Sequence, residues 1–153
     1  MSATLMVLVQ HIMEDARRRL AILGRETSVA DAAEVLSNPS TPLAVVCDSR
    51  GVAVGVVAGS DIVKVLARAK ADAHQMNVGA IMTSEIHSCR VDHALQQVWE
   101  TMSGQSLTSV PILDESGRPQ GVVYARDLAR AIFKEVTEEE ALLRNYVMGV
   151  GYQ

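Results

Sequence analysis

Aromatic residues are scarce in this 153-residue chain: one Trp, one Phe and three Tyr. Proteins that hold single-stranded nucleic acid stack bases on rings, and so few rings cannot build such a platform. Charge of one sign is lacking too. The formal net charge is −4, so no positive field draws in a polyanion. Arg17-Arg18-Arg19 is a local basic cluster, but Glu14 and Asp15 precede it, and it reads as a solvated helix face. Cysteines number two, Cys47 and Cys89, and neither has a second Cys at zinc-ligand spacing. Cys47 lies in an apolar run and reads as a small buried hydrophobe. No apolar run reaches membrane-spanning length. Leu5–Val9 is short and lacks the frame of a secretion signal. These absences predict no nucleic-acid partner, no membrane, and a soluble, reducing, cytoplasmic setting.

Catalytic constellations are missing as well. His11, His74, His87 and His93 are scattered, with no Ser or Cys at a motif spacing. There is no nucleophile elbow, no P-loop and no His-Glu-x-x-His. The expectation is a protein that is not an enzyme and holds no metal and no required cofactor.

What the chain has is aliphatic residues and a repeat. Hydrophobic residues make up 48% of it, enough for a packed core. Ser109–Leu128 reads as an apolar strand, a tight turn, a second apolar strand and a helix start. The same order occurs at Leu43–Ile62. Asp48, Gly51, Gly55, Val56, Val57 and Asp61 recur as Asp114, Gly117, Gly121, Val122, Val123 and Asp127, all at an offset of 66. Asp bonds its own backbone in turns, and Gly accepts positive φ. Six identities in one register make an internal repeat the first organising fact.

The rest of the chain follows from that register. Residues 1–19 are a lead-in that carries three extra residues relative to the second copy. Residues 20–73 form copy one. Leu20–Leu23 is a short first strand, and Ser28 caps a helix with Val29, Ala32, Ala33 and Leu36 on one face. A second helix starts at Ser60 or Asp61, with Ile62, Val65, Leu66 and Ala69 inward. Residues 74–85 are linker and lead-in. Residues 86–136 repeat the order: Ile86–Cys89 is the first strand, Leu95, Val98, Trp99 and Met102 line a helix, and a last helix runs from Arg126 to Val136. Thr137-Glu-Glu-Glu140 reads as a capping box for one further helix in residues 137–153, and the tail glycines as a turn after it. Each copy is β-α-β-β-α, too small to bury its sheet alone. The fold class is α/β (α+β): tandem repeats about a pseudo-twofold, sheets facing each other, plus a C-terminal helix.

With the lead-in Ile81-Met82-Thr83, the Asp-x-x-Gly turns, Gly-Val-Val and an Asp at each helix start, residues 12–136 resemble paired cystathionine-beta-synthase (CBS) domains, the Bateman module. The resemblance implies a non-catalytic regulatory module that binds an adenosyl ligand (AMP, ADP, ATP or S-adenosylmethionine) between the repeats and signals by conformational or oligomeric change. It also implies a homodimer, or a protein partner to receive the signal. The alternative is an interaction module that binds no nucleotide.

The family's pattern after the second Gly is Gly-h-h-Thr/Ser-x-x-Asp. Its Asp positions are Asp61 and Asp127, expected to take the ribose hydroxyls or to cap their own helices. Its hydroxyl positions hold Ala58 and Tyr124, both departures. Tyr124 would stack on adenine or plug the pocket. Ser60 and Arg126 stand just before each Asp; Arg126 is a fork suited to phosphate or a paired surface residue. Ser88 matches a position near the base, and its counterpart is Ile22. Leu20, Ile22, Val45, Ile86 and Pro111 are pocket wall or plain core.

Overall fold

A computed structural model describes residues 7–151, the side chains of 70–71 and 147–151 excepted. Copy one follows a 3-10 turn at Val9–Ile12 and helix α1 (Met13–Arg18). It comprises β1 (Leu20–Gly24), α2 (Val29–Leu36), β2 (Leu43–Cys47), β3 (Ala53–Ala58) and α3 (Gly59–Ala69). A 3-10 turn at Lys70–Gln75 and the single-turn α4 (Val78–Ile81) lead to copy two. That copy comprises α5 (Leu95–Gly104), β4 (Ser109–Leu113), β5 (Pro119–Tyr124) and α6 (Ala125–Gly151).

Local chemistry explains where these elements start and turn. Ser28 caps α2, its side-chain oxygen accepting from Asp31 N–H at 3.0 Å. The two hairpin turns are twins. Asp48 Oδ1 accepts from the N–H groups of Arg50 (2.9 Å) and Val52 (3.0 Å). Asp114 Oδ1 accepts from Ser116 (2.8 Å) and Arg118 (2.9 Å). Gly51 and Gly117 follow at φ +82° and +83°, where a side chain would clash with its own backbone. These backbone bonds hold both carboxyls below the usual Asp range. The turns also latch to each other: Ala53 N–H donates to Gly117 O at 2.9 Å, and Arg118 Nε to Arg50 O at 3.1 Å.

The sheets differ between copies. In the first, β1 runs parallel to β2, and β2 antiparallel to β3. In the second, only β4 and β5 pair as strands. The strand expected at Ile86–Cys89 shrinks to one parallel bridge, Cys89 to Ile112. The reason lies in the residues. Leu20-Ala-Ile-Leu is apolar throughout, whereas His87 and Ser88 interrupt the second version and only Cys89 is buried. Burial there pushes the Cys89 thiol up to about 12.

Three further expectations change. The break before Thr137 is absent: α6 runs on to Gly151, and Thr137 Oγ1 donates to Phe133 O at 2.9 Å, one turn back, without capping a new helix. The glycines at 149 and 151 therefore lie in the helix, and residues 152–153 fall outside the described chain. Leu66 faces outward at 54% exposure. Of the basic cluster, Arg17 and Arg18 are solvated, Arg18 pairing with Glu14 and Asp15, but Arg19 turns inward.

The two copies are interlocked through their lead-ins. Val9, Ile12, Met13 and Ala16, which precede copy one, are buried in the core of copy two against Leu95, Met102, Ile112 and Leu128. Val78, Ile81 and Met82, which precede copy two, pack in the core of copy one with Val29, Val46, Val57 and Ile62. The second glycine of each motif makes room for this crossing. A Cβ on Gly121 would stand 3.0 Å from Ala16 C, O and Cβ, and one on Gly55 would meet Met82 Sδ at 2.5 Å. Leu43, Val45, Cys47 and Val122 then close the seam between the sheets. Hydrophobic burial of this kind stabilises by about 1.5–3 kcal/mol per large side chain.

Candidate functional site

Two places at the seam are candidates, a cavity beside the start of α3 and a cluster of side chains beside the start of α6. The pseudo-twofold makes them counterparts, but their contents differ.

In the cleft at α6, Asp127 is gripped from inside the protein. Its side chain is 2% exposed, and that of Arg19 is 18% exposed. Arg19 Nε donates to Oδ2 and Nη2 to Oδ1, both at 3.0 Å, a two-pronged ion pair. Nη1 reaches Ser40 O at 3.4 Å. The guanidinium carbon lies 5.0 Å from the centroid of the Tyr124 ring, and that of Arg126 lies 5.9 Å from it. Tyr124 thus bears two cations on its π-system. The hydrogen bonds that Arg19 donates to Asp127 raise the Arg19 pKa further, so the fork stays charged.

In the cleft at α3, no Lys or Arg among the described residues plays the part of Arg19. Asp61 Oδ2 accepts from the Ala58 N–H at 2.8 Å, closing the helix start. Its carboxylate still faces a cavity of about 240 Å³ that Ala58, Ser60, Glu85 and His87 help to line. The far wall is Ser106, Thr108 and Ser109 from copy two, and Pro111 and Leu43 form the apolar floor. Among the described residues, the lining holds no Lys or Arg. The volume falls just below the roughly 300–1,000 Å³ of small-molecule pockets, and the mix of apolar floor and convergent polar groups has their chemistry.

The eight sequence-predicted residues therefore separate. Ala58, Ser60 and Asp61 share the open cleft. Tyr124, Arg126 and Asp127 cluster at the other, around Arg19. Ser88 lines a separate hollow of about 200 Å³ against α5, and Ile22 stands 54% exposed on β1. Sequence reasoning missed Arg19, Ser40, Glu85 and the serines and threonine of the far wall. One signal was available: at the offset of 66, Arg19 falls on Glu85 and Ser40 on Ser106. Groups of three or more potential metal ligands are absent among the described residues, and no described helix is long and apolar enough to cross a membrane.

Comparison with known proteins gives the family and supports the fold. The family described as CBS domain matches residues 9–68 and 78–134. A 17.7 kDa protein of Acidianus ambivalens is 25% identical over 140 residues, 92% of this chain and 84% of its own. The L-aspartate semialdehyde sulfurtransferase of Methanocaldococcus jannaschii is 28% identical over 103 residues, but this chain spans only 19% of its length. Among solved structures, a CBS-domain containing protein from Agrobacterium tumefaciens superposes with a TM-score of 0.73 at 28% identity, covering 82% of this chain and 98% of that one. A CBS domain pair in complex with 5′-methylthioadenosine and S-adenosyl-L-methionine superposes with a TM-score of 0.71 at 25% identity, covering 82% and 99%. A duplicated unit, seam clefts and a family match over most of the chain lead to one conclusion: this protein belongs to the CBS domain family, as a tandem pair.

Proposed function

We propose that this CBS pair is a non-catalytic regulatory module that senses an adenosyl ligand in the cleft at α3. The observation that carries the reading is the open cavity at the seam, with Asp61 on one wall and the Ser106–Ser109 segment of the other copy opposite. A ribose diol donates two hydrogen bonds, and a carboxylate accepts both. The solved CBS pair with 5′-methylthioadenosine and S-adenosyl-L-methionine supports the ligand class. Because both copies line the cavity, a ligand there favours one arrangement of the seam over another, and the population shifts accordingly. The signal passes to a second copy or to a protein partner. Phe133 (72% exposed), Trp99 (38%) and Val136 (46%) form an apolar groove on the outer helices that suits a homodimer.

A second reading has its own observation. The cleft at α6 is filled by Arg19, as in an interaction module that binds no nucleotide. Thermal melting separates the two. A ligand at 100 times its Kd stabilises by about 2.7 kcal/mol, or roughly 5–10 °C for a chain of this length. AMP, ATP, 5′-methylthioadenosine and S-adenosylmethionine are titrated to millimolar concentration. A rise with any of them that Asp61→Ala abolishes supports sensing; no rise with all four supports the interaction module.

A further inference from the structure

The two sites occupy equivalent places in the repeat and are opposite in charge. Around Asp127, the filled cleft has two cations, Arg19 and Arg126. At the same offset, the open cleft has Glu85 and Ser60 around Asp61. One copy's guanidinium fork is the other copy's carboxylate. A phosphate entering the open cleft would meet two carboxylates, one histidine (His87) and, among the described residues, no Lys or Arg. The α3 start, which could otherwise favour an anion, already has its own carboxylate on the Ala58 N–H. The filled cleft supplies the complement: there, the group that Asp127 holds is a cation.

We propose that the open cleft selects by charge. It admits an adenosyl compound without phosphate, a neutral thioether or a cationic sulfonium, and discriminates against nucleotides, with Glu85 as the residue that sets the preference. This rests on the sensing function proposed above and deepens it. The cavity is what binds; the charges decide what enters. Rejection by a like charge is specificity gained through repulsion, and it weakens as salt screens it.

The test is isothermal titration of the full chain at pH 8 and low salt with four probes: 5′-methylthioadenosine, S-adenosylmethionine, AMP and ATP. The first two bind more tightly than AMP by about tenfold or more, the size of one unfavourable charge contact near a surface, and ATP binds most weakly. Added salt weakens S-adenosylmethionine and does not weaken AMP. Glu85→Gln and Ser60→Arg, both at exposed positions, each narrow the gap between AMP and 5′-methylthioadenosine by about threefold or more. AMP or ATP binding as tightly as the thioether, or a gap that neither substitution changes, overturns charge selection while leaving sensing intact. No binding by any probe overturns both.

Discussion

Arg19→Ala tests the filled cleft most directly. The substitution removes the fork and leaves Asp127, 2% exposed, with no other hydrogen-bond partner among the described residues. Breaking a buried ion pair from one side costs about 3–5 kcal/mol. Arg19 is 18% exposed, so water enters the space it leaves, and roughly 2–3 kcal/mol is expected to remain. At about 2–4 °C per kcal/mol, the melting temperature falls by roughly 5–10 °C. Urea unfolding should show a lower midpoint at unchanged slope, which marks lost stability without a changed unfolded state. Replacing both partners, Arg19→Met with Asp127→Leu, removes the stranded charge and should return stability to within about 1 kcal/mol of wild type. The cycle would then show coupling of about 2 kcal/mol. An Arg19→Ala protein melting within about 2 °C of wild type, or a double variant as unstable as the single one, would refute the claim that this pair holds the cleft shut.

Three other outcomes follow from the packing. Gly121→Ala should destabilise by about 1–3 kcal/mol, and more than Gly55→Ala, since it meets α1 backbone whereas Gly55 meets only side-chain atoms of Met82, which can change rotamer; paired thermal melts give the order. Asp48 and Asp114 have lowered pKa values, so the stability they contribute is present above the unfolded value of about 3.9 and is lost as pH falls through the folded one. Urea midpoints from pH 6 to pH 2.5 should drop for wild type and flatten for the Asp48→Asn, Asp114→Asn protein. Cys89, pushed up to about 12 by burial, stays a thiol at pH 8 and should react with a disulfide reagent only after unfolding, with Cys47, also buried, following the same course.

The repeat was legible because its marks are local. Asp48 and Gly51, like Asp114 and Gly117, act within one turn, and a backbone that needs positive φ declares itself by its glycine. The helix start at Ser28 was readable for the same reason. What escaped depends on distance. Arg19 sits in a run of three arginines, and a solvated face was the sensible reading of two of them; its partner lies 108 residues away. Leu66 belongs to the apolar stripe of α3, yet that stripe is wider than the core behind it. Thr137-Glu-Glu-Glu looks like a helix start, but α6 was already running, and a threonine inside a helix bonds the carbonyl one turn back. Of the candidate site, Asp61 and Ser60 were read from their place in the motif. Glu85 was not, because its importance comes from contrast with Arg19 at the same register, and Arg19 itself was read as one of a solvated run.

The exchange of lead-ins has a consequence for how such a molecule can be dissected and how it can speak. A fragment ending near residue 75 lacks the arm that fills it and carries one with no socket; the remainder is in the same position. Neither should fold alone, and the two together should reassemble by trading arms. Arms traded in this way keep the halves together, so a ligand adjusts the seam without parting them, and what it reports leaves through the outer helices.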